Sequence, residues 1–210
     1  MSGFIMLATL LPLSFASSCS TQSSVTLDVR AIHEPVTMAS DYSLADLADL
    51  AMQVGQKTDH RPLGFYSGSV ANEVLAFETS AADSACGSAI HLDVTFHLAD
   101  RQIQIANDLR LVPCRYETVV RHYQSHASAD DIVFGNFARA ITGRLDRLSK
   151  SDTPPGPQGA TALQVQLRGQ ALQLIEEAMP NLKAERDAAR KSVDTSLEVE
   201  RLLDACSQNL

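Results

Sequence analysis

Apolar and polar residues alternate in two stretches of the N-terminal half, and each alternation predicts β-structure. Residues 25–30 form a half-buried strand that Pro35 ends, and a further strand is predicted over 70–77. The strongest alternation covers residues 90–106 and is interrupted at 99–101, where we place a turn. We therefore predict an antiparallel hairpin over 90–106 and, with the other strands, a small antiparallel sheet.

An apolar period of three to four residues appears in other segments and predicts helices. Residues 41–52 form a short amphipathic helix that stops near Gly55. A long helix follows Pro113, and one broad face of it carries the residues Tyr116, Val120, Tyr123, Phe134, Phe137, Ile141, Leu145 and Leu148. The segment 128–131 resembles a capping box, so we expect this helix to break and restart there.

The C-terminal third is predicted to be helical. Residues 151–159 are rich in proline and glycine, which indicates an exposed loop. A long helix is expected over 160–191, and the segment 195–198 is a capping box for a last helix. We predict an α+β fold, with a small antiparallel sheet packed on helices over 25–150 and a helical C-terminal region, 160–210, that packs on this domain.

The N-terminus has the composition of an export signal. Residues 1–18 carry no charge, and the apolar run 4–16 has the length of a signal-peptide core, too short to span a bilayer. We predict a signal peptide over 1–18 and a polar tether over 19–24. Two outcomes remain open: cleavage near Ala16, which releases the protein into the periplasm, and lipidation of Cys19, which gives an outer-membrane lipoprotein that contacts the membrane only through this lipid.

Charge and cysteines narrow the setting of the protein. The net charge of −8 disfavours nucleic acid as a partner, because contacts to phosphate need basic patches. The four cysteines fit an oxidising compartment. Cys86 and Cys114 bracket the predicted hairpin, which favours a disulfide between them. The sequence by itself leaves all pairings of the four cysteines open, including a bond between Cys19 and Cys206.

His122 and His126 are the candidate metal ligands. Residues four apart project from the same face of a helix, so both imidazoles can reach one ion. We predict Asp130, one turn beyond His126, as the third ligand; the alternatives are Asp131, Glu176, Glu177, Asp187 and Asp194. The competing interpretation places the histidines at the edge of the apolar face as ordinary boundary residues. Asp130 and Asp131 then stabilise the first turn of the restarted helix through its dipole.

The residue after His122 argues against catalysis. In the metalloprotease motif H-E-x-x-H, the glutamate beside the first histidine polarises the zinc-bound water. Here that position is Tyr123, whose phenol is a poor base at neutral pH. The chain has the two histidine ligands of a hydrolase without its base, so the motif favours a protein that is not an enzyme.

The segment from Cys114 to His126 resembles an uncharacterised family of secreted bacterial proteins that are regarded as zinc-dependent proteases. In that family a cysteine and a tyrosine lead into the helix with H-E-x-x-H; the matching residues are Cys114, Tyr116, Val119, Val120, His122 and His126. The tail 183–206 resembles the family's closing segment, with an Arg/Ala-rich helix, an Asp-Thr step, a downstream glutamate and a final cysteine. The resemblance covers residues 86–206 and implies a zincin-like protein with zinc as its cofactor, in which Tyr123 replaces the family's glutamate.

Together these features predict an exported envelope protein, zincin-like but catalytically degenerate, that binds a metal through His122 and His126. The alternative is a non-enzymatic periplasmic or lipid-anchored protein that binds no metal and whose helices contact an envelope protein or a peptide. A third hypothesis, an active zinc-dependent peptidase, requires a substitute for the missing glutamate.

Overall fold

The computed structural model describes residues 24–53, 62–80, 88–150 and 159–204. Over these residues the chain forms four β-strands and four α-helices, which confirms the predicted α+β class. Outside them lie the predicted signal peptide, most of the tether, most of the Pro/Gly loop and the cysteines Cys19, Cys86 and Cys206.

One long strand organises the sheet. On one side, β4 (Ser88–Ile105) pairs antiparallel with β3 (Gly64–Ser80) over almost its whole length. On the other side, β4 pairs in parallel first with β1 (Ser24–His33) and then with β2 (Thr37–Ala39). The sheet is therefore mixed, not antiparallel as predicted, because β3 lies between β2 and β4 in the chain and runs in the opposite direction to both.

The predicted hairpin over 90–106 is wrong, since this segment is a single strand with a β-bulge. The register against β3 shifts between Ser67 and Ser69, where β4 carries one extra residue. Asp100 adopts a left-handed backbone conformation there, with φ at 53°. The bulge turns the side chain of Arg101 towards the interior, so that 5% of this residue is exposed. The antiparallel hairpin of the sheet is formed instead by β3 and β4.

The helices are α1 (Leu44–Gln53), α2 (Pro113–Lys150), α3 (Gly159–Val193) and α4 (Ser196–Asp204), and a 3-10 turn (Asn107–Leu111) precedes α2. The predicted break at 128–131 is wrong, because the polar side chains there bind elsewhere. Ser128 donates back to the Gln124 carbonyl oxygen at 2.9 Å, and Asp131 accepts a hydrogen bond from Arg101 at 2.8 Å. A capping box starts a helix only when its side chains bind the first amides.

Over the described residues, no helix is apolar enough along a sufficient length to cross a membrane.

Two apolar clusters hold the helices on the sheet. The larger joins β3 and β4 to the middle of α2 and to α3, and includes Val94, Phe96, Leu98, Phe134, Phe137, Ile141, Leu145, Ile175 and Leu182. The smaller joins the end of β4 to the start of α2, and includes Leu47, Ile103, Ile105, Leu109, Val119 and Leu202. Between Val119 and Phe134 the buried face of α2 carries His122, His126 and Asp130. This polar interval between two apolar clusters contains the candidate site.

Candidate metal centre

His122 and His126 lie next to each other on the buried face of α2, and each is 5% exposed. Their ring centroids are 4.8 Å apart, the ring planes are nearly perpendicular at 86°, and the two Nε2 atoms face each other at 3.2 Å. They are therefore more buried than a position at the edge of the apolar face predicts. They are buried because the joint between α3 and α4 covers them, and this joint supplies a carboxylate.

Asp194 lies in the two-residue joint between α3 and α4. Its backbone N–H donates to the Arg190 carbonyl oxygen at 3.1 Å, so it closes the last turn of α3. Its Oδ1 atom lies 2.9 Å from Nε2 of His126 and 3.2 Å from Nε2 of His122. About half of the Asp194 side chain is exposed (51%), so the group is buried on the α2 side and reaches solvent at Asp194.

The spacing of these three atoms suits a metal ion. Zinc bonds of about 2.0–2.2 Å in a tetrahedral arrangement place neighbouring ligand atoms roughly 3.3 Å apart. Without a cation, two ring nitrogens and one carboxylate oxygen meet at one point, and an Nε2–H can be directed at only one acceptor at a time. His122, His126 and Asp194 therefore form a group that could hold a metal ion, and we call this group the metal centre.

The electrostatics of Asp194 favour its role as an anionic ligand. Burial by itself would raise the pKa of Asp194, but the contacts with His122 and His126 outweigh burial and hold this pKa well below its usual range. The carboxylate is thus ionised at neutral pH. A carboxylate ligand has to be ionised to bind a metal, so Asp194 meets this condition.

Tyr123, at the glutamate position of the protease motif, forms one wall of the metal centre. Its ring stacks on that of His126 with 5.6 Å between the centroids and meets His122 edge-on at 4.9 Å. Its hydroxyl donates to the Gly64 carbonyl oxygen at 2.5 Å, and a Cβ at Gly64 would lie 2.8 Å from the ring. Burial raises the pKa of Tyr123 above its ordinary value, and the nearby Asp194 carboxylate raises it further. A protonated phenol that already donates to a backbone carbonyl is not a general base.

Glu198 is a second carboxylate beside His122, on the other edge of the ring. Its Oε1 atom lies 3.5 Å from Nδ1 of His122, within ion-pair range but longer than an ordinary hydrogen bond. Arg201 donates to both carboxylate oxygens of Glu198, at 2.6 and 2.8 Å. The backbone N–H of Glu198 donates to the Thr195 hydroxyl at 3.2 Å, which confirms this half of the predicted capping box. The sequence indicated Glu198 as a capping residue and missed its position next to His122.

Asp130, the predicted third ligand, is not part of the metal centre. Its carboxylate, with 1% of the side chain exposed, accepts hydrogen bonds from Arg186 at 2.5 and 2.7 Å. It also accepts one from the Tyr66 hydroxyl at 3.0 Å, to which Arg101 donates in turn at 3.2 Å. We call Asp130, Arg186, Tyr66 and Arg101 the ion-pair cluster. The guanidinium of Arg186 engages both oxygens of Asp130, so this carboxylate already has a charged partner.

The structure also shows where the other predicted acidic ligands lie. Asp131 binds Arg101 at 2.8 Å and His33 at 2.6 Å. Three further candidates lie on α3 outside the metal centre: Glu176, Glu177 and Asp187. Asp194 is the acidic alternative that the structure brings to the two histidines. The resemblance included the Asp-Thr step that contains Asp194, but no helical spacing linked this residue to the histidines, because it is 68 residues from His126 in the chain.

Cys114, in the first turn of α2, is disulfide-bonded. Its partner lies outside the described residues, so the pairing with Cys86 remains a prediction, and so does lipidation of Cys19. The other three cysteines all belong to segments that the structure does not describe.

The metal centre is thus defined by its own geometry. Two buried imidazoles and one ionised carboxylate converge on each other, and their ligand atoms are 2.9 to 3.2 Å apart. Comparisons with protein-family models, with curated proteins and with solved structures find no match for this chain.

Proposed function

We propose that this protein is an exported zinc-binding protein of the cell envelope, zincin-like in its metal-binding helix and without catalytic activity. The observation that carries the proposal is the convergence of Nε2 of His122, Nε2 of His126 and Oδ1 of Asp194 within 2.9 to 3.2 Å. Two histidines and a carboxylate are also the protein ligands of several zinc enzymes.

The donor set and its spacing favour zinc over other metals. Two histidines and one carboxylate also hold non-haem Fe(II) in oxygenases, so the ligand types by themselves leave two candidates. The H-x-x-x-H spacing on one helix, with an acid from a later segment, is typical of zinc proteases. The resemblance of the segment 114–126 to secreted zinc-dependent proteases favours the same metal.

The absence of catalysis is supported by the surroundings of the metal centre. A zinc hydrolase needs a group that takes a proton from the metal-bound water. Tyr123 stands where that group is expected, and its hydroxyl is bound to Gly64. Glu198 faces Nδ1 of His122, away from the Nε2 atoms that define the metal centre. Neither side chain is in position to serve as the base.

Export is supported by two independent features. Residues 1–18 have the uncharged, apolar composition of a signal peptide. Cys114 is disulfide-bonded, and structural disulfides form and persist mainly in oxidising compartments. We therefore place the protein in the periplasm or, if Cys19 carries lipid, at the outer membrane.

Elemental analysis tests the proposed metal. Full-length protein purified without chelator should contain about one zinc ion per chain, as expected for a single site. The double substitution His122→Ala, His126→Ala should abolish this content. The matched control, His91→Ala, His97→Ala, changes two histidines of β4 and should leave the zinc content unchanged. Wild-type protein without any transition metal would contradict the proposal and favour the partner-binding alternative; stoichiometric iron would replace zinc in it.

A peptidase assay tests the absence of catalysis. The zinc-loaded wild type should leave a broad peptide library intact, since among the described residues neither Tyr123 nor Glu198 is in position to act as the base. Tyr123→Glu places a carboxylate at the motif position, and chelator-sensitive cleavage by this variant would support the zincin-like interpretation of the helix. Chelator-sensitive cleavage by the wild type would show an active peptidase and overturn the non-catalytic part of the proposal.

A further inference from the structure

The Nδ1 atom of His122 is one of three buried side-chain polar atoms among the described residues that make no hydrogen bond; the other two are Oγ of Ser40 and Nε of Arg190. A buried ring nitrogen without a partner is costly, and native proteins pair the great majority of such atoms. The Nδ1 atom faces Oε1 of Glu198 at 3.5 Å, slightly beyond hydrogen-bond length. Glu198 thus faces Nδ1, the ring nitrogen of His122 that does not point into the metal centre.

The geometry of the centre decides where the ring proton of His122 belongs. Its Nε2 atom faces His126 and Asp194, so a metal at the centre binds His122 through Nε2. A neutral imidazole that binds a metal through one nitrogen carries its proton on the other. The proton of metal-bound His122 is therefore on Nδ1 and is directed at Glu198.

We propose that Glu198 is a positioning residue of the metal centre, which accepts the Nδ1–H of His122 and thereby sets the tautomer and ring orientation that present Nε2 to the metal. This inference rests on the proposed metal-binding function. Carboxylates that accept the second ring proton of a metal-bound histidine raise the basicity of the ligand and strengthen metal binding.

The segment at the start of α4 supplies both the ligand Asp194 and the positioning residue Glu198. Asp194 and Glu198 are four residues apart, on either side of the Thr195 cap. Arg201, one turn further on, binds both oxygens of Glu198 and holds the carboxylate in place. The joint between α3 and α4 therefore provides a ligand at its first residue and a partner for His122 in the first turn of the next helix.

Zinc affinity of full-length variants tests this role. Zn²⁺ is titrated into metal-free protein against a chromophoric chelator. Glu198→Ala should weaken zinc binding roughly 10- to 100-fold, as is usual when the carboxylate partner of a ligand histidine is lost. Glu198→Gln keeps the shape and a neutral acceptor oxygen, so its loss should be smaller. Glu200→Ala, which removes an exposed acid of the same helix, is the matched control and should bind as the wild type does.

A spectroscopic readout separates this role from a purely structural one. In ¹⁵N-histidine NMR spectra of the zinc-loaded wild type, His122 should carry its proton on Nδ1, and this signal should shift in Glu198→Gln. Equal zinc affinity of Glu198→Ala and Glu200→Ala would overturn the inference, as would a proton on Nε2 of His122. If Glu198→Ala does not fold, unchanged affinity of Glu198→Gln decides against it. Absence of zinc binding by the wild type would instead refute the proposed function, and the inference with it.

Discussion

The metal centre and the ion-pair cluster are two buried polar groups that join α2 to the C-terminal helices one turn apart, and they differ in how their charges are balanced. In the ion-pair cluster, the Asp130 carboxylate receives both donors of the Arg186 guanidinium and the hydroxyl of Tyr66. In the metal centre, the Asp194 carboxylate oxygen and two imidazole nitrogens converge within 3.2 Å. The first group is complete within the protein, and the second has the donor atoms to bind a cation.

This difference explains why one group is structural and the other is a candidate for function. A buried charge is stable only when a counter-charge and hydrogen bonds offset the loss of water. Arg186 provides both for Asp130, so nothing further is needed there. A metal ion would do the same for the metal centre, since it accepts the lone pairs of all three ligand atoms at once.

The ion-pair cluster also helps to position the metal centre. Arg186 lies two helical turns before Asp194 on α3, and Asp130 lies one turn after His126 on α2. The bidentate contact between Arg186 and Asp130 adds to the apolar contacts that hold α3 on α2. Asp130, predicted as a ligand, contributes to this packing instead.

Metal affinity should show the largest difference between the two clusters. Asp194→Asn removes a charged ligand and should weaken zinc binding by more than the roughly 10- to 100-fold loss that follows changes around a ligand. Asp130→Asn leaves all three ligands in place and should weaken it far less. Competition titration against a chromophoric chelator measures both. Equal losses in the two variants would break the distinction between the clusters.

In the metal-free protein, Asp130→Asn should lower the free energy of unfolding by more than Asp194→Asn does, which is the reverse of their effects on zinc binding. Asp130→Asn leaves the Arg186 guanidinium without its counter-charge, and breaking a buried ion pair lowers the free energy of unfolding by about 3–5 kcal/mol. Asp194→Asn should lower it less, because half of that side chain is in solvent. Urea unfolding in the presence of a chelator measures both variants.

The control for this measurement is an exposed ion pair. Asp146→Asn removes the contact with Lys150 at the end of α2, where about half of the Asp146 side chain and most of the Lys150 side chain are in solvent. It should change the free energy of unfolding by less than about 1 kcal/mol. If Asp130→Asn costs no more than Asp146→Asn, the ion-pair cluster is not the structural element described above.

Substitution of Asp131, which binds Arg101 of the ion-pair cluster, should have the smallest effect on the free energy of unfolding, and this effect should depend on pH. Burial by itself would raise the pKa of Asp131, but hydrogen bonds with His33 and Arg101 outweigh burial and lower it. A carboxylate with a lowered pKa in the folded protein stabilises the fold above its ordinary pKa of about 3.9. This stabilisation disappears as the pH falls through the lowered value. The same reasoning applies to any acid paired at the surface.

Comparison of wild type with Asp131→Asn across pH checks this. The difference in the free energy of unfolding should be present at about pH 6 and shrink below about pH 4. It should stay under about 1 kcal/mol, because more than a third of the Asp131 side chain is exposed and solvent screens the pair. A difference that stays constant down to about pH 2 would contradict a role of the ionised carboxylate.

Most secondary structure followed from local patterns, and the errors have a common physical origin. The apolar positions of β4 change from even to odd numbers on either side of Asp100. A turn and a β-bulge both cause such a change of phase, and only the partner strand distinguishes them. Likewise, the segment 128–131 has the composition of a helix start, but Arg101 and Arg186 from other elements bind its acids. Both errors arise where residues distant in the chain make the contacts: the partner strand β3 at the bulge, and the two arginines at the predicted helix start.

The candidate site was predicted only in part, again because some of its contacts join residues that are distant in the chain. His122 and His126 follow from helical spacing, since residues four apart always share a face. Tyr123 was recognised as an unsuitable base, and its burial next to the Asp194 carboxylate, which raises its pKa, explains why it stays protonated. Glu198 was visible as a capping residue, while its position beside His122 depends on how α4 packs on α2.

Local sequence specifies the chemical groups of the site: a helix with two histidines on one face, a tyrosine in place of a catalytic glutamate, and a capping box that begins with the threonine of an Asp-Thr step. Each of these depends only on residues close in the chain. Which carboxylate meets the histidines depends on contacts between residues that are distant in the chain. Asp130 and Asp194 are chemically alike, and the packing of α3 and α4 on α2 determines which partners each of them meets. Arg186 takes Asp130, and the imidazoles receive Asp194.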